Sequence, residues 1–181
     1  MIIQFCGLSG SGKTTIANAV QQLLQQRGLA CEVIDGDIYR KNICAGLGFS
    51  KADRNENIRR LAFVADLLSK HNIITIISAI NPYDDVRREI TGRYADVKTV
   101  YINCGLDVLI QRDTKNLYHR AMLPANHPDK VNNLSGVNDI FEPPQNPDLI
   151  LKTDHETIDV SSNELLDFIL AYLKQACLLT I

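Results

Sequence analysis

Residues 1–14 read Met-Ile-Ile-Gln-Phe-Cys-Gly-Leu-Ser-Gly-Ser-Gly-Lys-Thr. An apolar run, Met1–Cys6, passes directly into the pattern G-x-x-x-x-G-K-[ST] at Gly7–Thr14. A strand before such a loop and a helix after it make a phosphate-binding P-loop. Its glycines let the backbone wrap closely around phosphates. Its amides point at the start of a helix, where the dipole favours negative charge. Lys13 reaches the β- and γ-phosphates of a bound nucleotide, and the Thr14 hydroxyl is placed to hold Mg²⁺.

Outward from the loop, apolar runs alternate with amphipathic stretches, the rhythm of a parallel sheet with crossover helices. Strands are expected at Ile2–Cys6, Cys31–Ile34, Ile73–Ala79, Lys98–Asn103 and Leu149–Lys152. The first helix runs from Lys13 to about Arg27, with Gly28 as its stop. A second starts at the Ser50–Asp53 entry signal and continues to about His71, with Ile58, Leu61, Ala65 and Leu68 on one face. Further helices fit Tyr83–Tyr94, Leu106–His119 and Asn163–Gln175. The fold class expected is α/β: a P-loop NTPase-type parallel sheet of about five strands, helices on both faces, and a mobile lid. One kinase domain would occupy residues 1–181, with the lid at about 112–144. The lid reading rests on residues 122–147, a Pro- and Asn-rich segment too long for an idle connection.

A length of 181 residues suffices for one full core. A net charge of -2 gives no support to a nucleic-acid or anionic-membrane surface. Met1–Cys6 is too short for a signal sequence, and Ile73–Ile80 is too short to span a bilayer. Five cysteines without a C-x-x-C pair read as free thiols in a reducing cytoplasm. Four scattered histidines show no metal-ligand spacing.

The second strand ends in Asp35-Gly36-Asp37, and ligands of parallel sheets sit outside the carboxyl ends of the strands. Asp35 is placed to organise Mg²⁺ and its waters, and Asp37 to accept a proton from an attacking hydroxyl. Arg40 follows Asp37 by one helical turn. Arg54 and Asn57 form a second i, i+3 pair, and together the three make an anion and ribose site. Arg112, Lys115 and His119 would share one face of the helix entering the lid and bring positive charge to a migrating phosphoryl group.

These motifs stand in order with others: DGDIYR, GLGFSKADRNENIRR, SAINPY, RDTKNLY and SGVNDIFEPPQNPDL. From about Ile2 to Thr153 the chain resembles adenylylsulfate kinases (APS kinases). The resemblance implies a cytoplasmic, often dimeric enzyme that uses Mg²⁺ and works with ATP sulfurylase. It would transfer the ATP γ-phosphate to the ribose 3′-hydroxyl of adenosine 5′-phosphosulfate (APS), giving PAPS. It implies that Gly7, Ser9, Gly10, Ser11, Gly12, Lys13, Thr14, Thr15 and Arg112 hold ATP, with Thr14 and Asp35 at the metal. Asp37, Arg40, Phe49, Arg54, Asn57, Ile80, Asn81, Lys115 and Leu134 would meet the acceptor, Phe49 by stacking on its adenine. Lys13, Asp37, Arg112 and Lys115 would carry the chemistry.

Three departures stand out. The family's Ile-Ser-Pro is here Ile80-Asn81-Pro82; a phosphorylated intermediate has been proposed on that serine, and Asn81 cannot form one, so direct in-line transfer is expected. The family's second adenine-stacking Phe is here Leu134, preceded by a longer Pro- and Asn-rich insert. Asn116 replaces the glycine of Lys-Gly-Leu-Tyr. All three lie on the acceptor or lid side. They leave open a relative that phosphorylates another nucleotide-linked acceptor and, more distantly, a non-catalytic nucleotide sensor.

Overall fold

The structure, a computed structural model, describes residues 1–178, with side chains through residue 175. Cys177, one of the five cysteines, therefore lies outside the described side chains. The sheet is built from β1 (Ile2–Cys6), β2 (Cys31–Asp35), β3 (Ile74–Ser78), β4 (Val97–Asn103) and β5 (Leu149–Lys152). All pairings are parallel, in the order β2-β3-β1-β4-β5. Strands β1 and β3 are buried along their whole length because helices cover both faces. Side chains alternate between the faces. Ile3 and Phe5 join α1 (Lys13–Gln25) and α7 (Ile158–Leu178) through Ile16, Val20, Leu24, Leu165 and Ile169. Ile2 packs the opposite way, against Ile58, Leu61 and Ala65 of α3 (Lys51–Ser69) and Val86 and Ile90 of α4 (Asp84–Arg93).

After β1 the chain moves outward to β2 and returns through β3, then crosses β1 to β4 and β5. The strand order thus reverses around β1, and the crevice at such a switch point receives the ligand. The P-loop occupies it. Gly7 is required there by close approach: a Cβ on it would lie 2.5 Å from the Ile102 carbonyl oxygen of β4.

Local signals place most boundaries. Ser50 caps α3: its hydroxyl accepts the Asp53 amide at 3.2 Å and donates to the Asp53 carboxylate at 2.7 Å. Gly28, with φ 74°, ends the turn after α1. Two expectations need correction. The helix expected over Leu106–His119 is broken into α5 (Leu106–Arg112) and α6 (Leu117–Met122), so Arg112, Lys115 and His119 do not share a helix face. The break has a cause in Asp113, whose carboxylate accepts the amides of Leu117, Tyr118 and His119 at 2.8–3.0 Å. A side chain that caps a new helix competes with continuation of the old one. Asn116, at φ 51°, takes the left-handed conformation that asparagine tolerates better than most residues, which accounts for its standing in place of a glycine. Helix α7 begins five residues before Asn163. Ile158 and Val160 face solvent there and hide the apolar period.

The segment after α6 forms no strand or helix before β5, yet it is tied to the body. Arg54 donates to the Asn133 carbonyl at 2.5 Å and pairs with Asp139 at 3.1 Å. The Glu142 amide donates to the Pro82 carbonyl at 2.8 Å.

Candidate active site

The P-loop opens α1 with nothing in competition for an anion. Its N-cap is Gly12 (φ 95°), which offers no capping side chain, and the first turn carries no acidic residue. The free amides and the positive end of the helix dipole face the crevice. The loop is braced from outside. The Tyr118 hydroxyl donates to the Ser9 carbonyl at 2.7 Å, and the Thr153 hydroxyl to the Ser11 carbonyl at 2.9 Å. Neither brace is in the loop motif; Tyr118 belongs to the RDTKNLY motif, and Thr153 follows the last strand.

Lys13 lies folded into the loop, donating to the carbonyls of Gly7 at 3.0 Å and Leu8 at 2.6 Å. It is 8 % exposed. Burial first, and Lys115 second, pull its amine down to about 8, against the raising effect of Asp37 and Asp35. Below pH 8 the fold carries the cost of keeping this buried lysine charged. That cost is relieved as pH rises from about 8 towards the ordinary lysine value of about 10.4. Phosphates in the loop would favour the charged form. Nucleotide binding near pH 8.5 is therefore expected to take up part of one proton. Calorimetry in buffers of different ionisation enthalpy measures it, and Lys13→Met should abolish the uptake. The same lysine predicts nucleotide affinity that weakens as pH climbs above about 8.

Next to the loop, the Thr14 hydroxyl donates to one Asp35 carboxylate oxygen at 2.8 Å and lies 3.2 Å from the Ser78 hydroxyl. The other Asp35 oxygen accepts the amides of Asp37 and Ile38, capping α2 (Gly36–Arg40). Asp35 is thus held rigidly by α2 while one oxygen faces Thr14. A hydroxyl and a carboxylate are the hard oxygen donors that suit Mg²⁺.

Asp37 projects from the first turn of α2 into solvent and pairs with Lys115 at 2.6 Å. An exposed pair like this adds little to stability; its consequence is to hold the α5–α6 turn across the mouth of the crevice. Beyond it stands Phe49, 52 % exposed, with the Arg40 guanidinium 4.4 Å and the Arg54 guanidinium 5.4 Å from its ring centre. Arg40 also donates to the Leu47 and Gly48 carbonyls, and Arg54 to that of Phe49. The two cations fix the loop that presents the ring, and Phe49 lines the cavity.

One cavity of about 570 Å³ joins these parts. Ser9, Gly10, Gly12, Lys13, Thr14 and Thr15 line it with Asp35, Asp37, Phe49, Arg54, Ile80, Lys115 and Leu134. A second cavity, about 440 Å³, opens on the other side of the loop and is lined by Gly10, Gly12, Thr15, Arg112, Thr153 and Ile158 among others. Arg112, expected beside Lys115, lies there instead, donating to the Thr153 carbonyl at 2.9 Å. Three expected acceptor contacts stand off the first cavity. Arg40 is engaged with the loop before Phe49. Asn57 is buried, with no partner for its Oδ1. Asn81 turns its side chain inward to Gln4. Leu134 lines the cavity from the side opposite the sheet and is packed with Leu109, Tyr118 and Ala121.

Two cavities that share one phosphate loop suit a nucleotide donor and a second, aromatic-bearing ligand. Comparison with known proteins agrees. The family model described as adenylylsulphate kinase matches residues 1–152. The adenylyl-sulfate kinase of Gloeothece citriformis is 44 % identical over 164 residues, 91 % of this chain and 90 % of the relative. That of Chloroflexus aurantiacus is 43 % identical over 175 residues, 97 % of this chain and 89 % of the relative. Among solved structures, Mycobacterium tuberculosis APS kinase in complex with AMPPNP and APS superposes with a TM-score of 0.86 at 34 % identity, covering 93 % of this chain and 96 % of that one. By the match of the family model over residues 1–152 and by relatives at 43–44 % identity, the chain belongs to the adenylylsulphate kinase family.

Proposed function

We propose that the chain transfers the γ-phosphoryl group of ATP to the ribose 3′-hydroxyl of adenosine 5′-phosphosulfate. The observation that carries this reading is the single cavity lined by Lys13 and Thr14 together with Asp37, Phe49 and Arg54. ATP phosphates would rest on the loop amides and Lys13, with the nucleoside directed to the Arg112 cavity. The acceptor base would stack on Phe49 opposite Leu134, its phosphosulfate near Arg54. Asp37 then takes the proton of the 3′-hydroxyl as that oxygen forms its bond to phosphorus and the bond to the ADP oxygen breaks. Lys115, released from Asp37, and Lys13 meet the charge that spreads over the transferred group. Thr14 and Asp35 would hold Mg²⁺, which when bound neutralises phosphate charge.

The reading extends to closure of the segment at about 112–144 over both nucleotides, excluding water from the transfer. It includes a homodimer, functional coupling to ATP sulfurylase and a cytoplasmic location. Cys6, Cys31, Cys44 and Cys104, buried and unpaired, accord with a reducing compartment. No helix among the described residues is long and apolar enough to cross a membrane.

The test is direct: purified protein, ATP, Mg²⁺ and APS should yield PAPS and ADP in equal amounts. Background turnover of APS, with phosphorylation of a different nucleotide-linked acceptor, would replace the substrate assignment. No turnover with any acceptor would leave a nucleotide sensor. Incubation with ATP alone should leave the intact mass without an added phosphate, because Asn81 has no hydroxyl and its side chain is directed to Gln4 rather than into the cavity. A stable phosphate mapped to any cavity residue would indicate a covalent route.

A further inference from the structure

Asn81 lies one residue past the cavity wall, in the left-handed conformation (φ 48°) and directly before Pro82. A positive φ is strained for a residue with a side chain, even for the more tolerant asparagine, so this corner must be held by its surroundings. Three ties hold it. The Asn81 Nδ2 donates to the Oε1 of Gln4 at 3.2 Å. The Asn81 carbonyl accepts from the Arg87 guanidinium at 2.7 Å. The Pro82 carbonyl accepts the Glu142 amide at 2.8 Å. Gln4 is fully buried in β1, and its Nε2 is within bonding distance of the Arg87 carbonyl and the Thr91 and Thr99 hydroxyls. It is a fixed post.

The corner reaches the site through the backbone. The Ile80 carbonyl, one residue before Asn81, accepts the amide of Gly7 at 3.1 Å, at the entry of the P-loop. The Ile80 side lines the main cavity. Asn81 itself is 1 % exposed, and its Oδ1 has no partner. A buried asparagine with half its hydrogen bonding unmet makes sense where one donor and tolerance of positive φ are both needed.

We propose that Asn81 is a positioning residue: its bond to Gln4 locks the left-handed corner, which sets the Ile80 wall against Gly7 and so shapes the acceptor side of the cavity. This rests on the kinase reading above for its kinetic consequence only. The P-loop has other ties, from Lys13, Tyr118 and Thr153. Loss of the corner should therefore be felt by the acceptor more than by ATP.

Asn81→Ala, Asn81→Gly and Gln4→Met test the lock. Alanine loses both the donor and the tolerance of positive φ, glycine loses the donor and keeps that tolerance, and Gln4→Met removes the acceptor, together with the Nε2 contacts to Arg87, Thr91 and Thr99, while keeping Asn81. Each folded variant should raise the acceptor KM by about tenfold with the ATP KM changed by less than about twofold. Hydrogen exchange in the peptide containing Gly7 should quicken about tenfold, alanine showing the largest change. If Asn81→Ala does not fold, the other two variants decide. An unchanged acceptor KM with unchanged exchange at Gly7 overturns the proposal. So does a parallel rise in both KM values, the pattern of a general loss of structure. If the wild-type protein forms no PAPS, the activity reading falls. The exchange comparison needs no substrate and still decides the corner.

Discussion

Lys13→Ala is expected to lower kcat by a hundredfold to a thousandfold in a protein that still folds. Charge that develops on the transferred group needs a cation already in place, and removing one such donor costs about 3–4 kcal/mol of transition-state stabilisation. Lys13 is the buried cation of the loop, and its contacts are polar: two loop carbonyls at 3.0 and 2.6 Å and the Ser11 hydroxyl at 3.4 Å. It packs no core cluster. Its amine is also held down to about 8, chiefly by burial, so in the empty loop the cost of burying its charge offsets the hydrogen bonds it makes. Thermal unfolding should consequently move little while turnover collapses. Near-wild-type kcat in a folded Lys13→Ala protein would remove the loop lysine from the mechanism.

Asp37→Asn should lower kcat by about a hundredfold or more and leave ATP affinity within about threefold of the wild type. The substitution keeps shape but removes the base. Asp37 lines the solvent-open edge of the main cavity, free of backbone capping duty, whereas Asp35 spends one oxygen on the amides of Asp37 and Ile38. The two carboxylates are thereby divided: one held still beside Thr14, the other able to exchange Lys115 for a substrate hydroxyl. An equal fall in ATP affinity with kcat intact would assign Asp37 to the metal instead. Titrating ATP by fluorescence or calorimetry alongside steady-state rates separates the two.

The placement of both residues beside one cavity is legible in the chain because it is local. A phosphate loop needs its glycines, lysine and threonine at fixed offsets, and a carboxyl-end carboxylate needs only a strand to end there. The five strands are legible to within a residue at each end: β1 and β3, buried along their whole length, are predominantly apolar runs, and β2, β4 and β5 keep enough apolar residues between turn signals to stand out. The capping pair Ser50 and Asp53 declared its helix for the same reason: both partners lie within one turn.

Other features answered to contacts between distant segments. The continuous basic helix expected across Arg112, Lys115 and His119 failed at Asp113, whose carboxylate gathers three amides further along. Composition shows an acid beside a basic stripe, not which amides it will reach. Arg112 then falls on the opposite side of the loop from Lys115. Gln4 and Asn81, 77 positions apart, meet only because β1 and β3 are neighbours. Fold class, P-loop and acidic pair follow from the chain alone, since each is written in residues a few positions apart. Which cations face which cavity, the bracing of the loop by Tyr118 and Thr153, and the turn of Asn81 towards the core come from the packed fold. Those outcomes depend on strand order and on where a chain turns, and hydrogen bonds across such separations leave no periodicity along the chain.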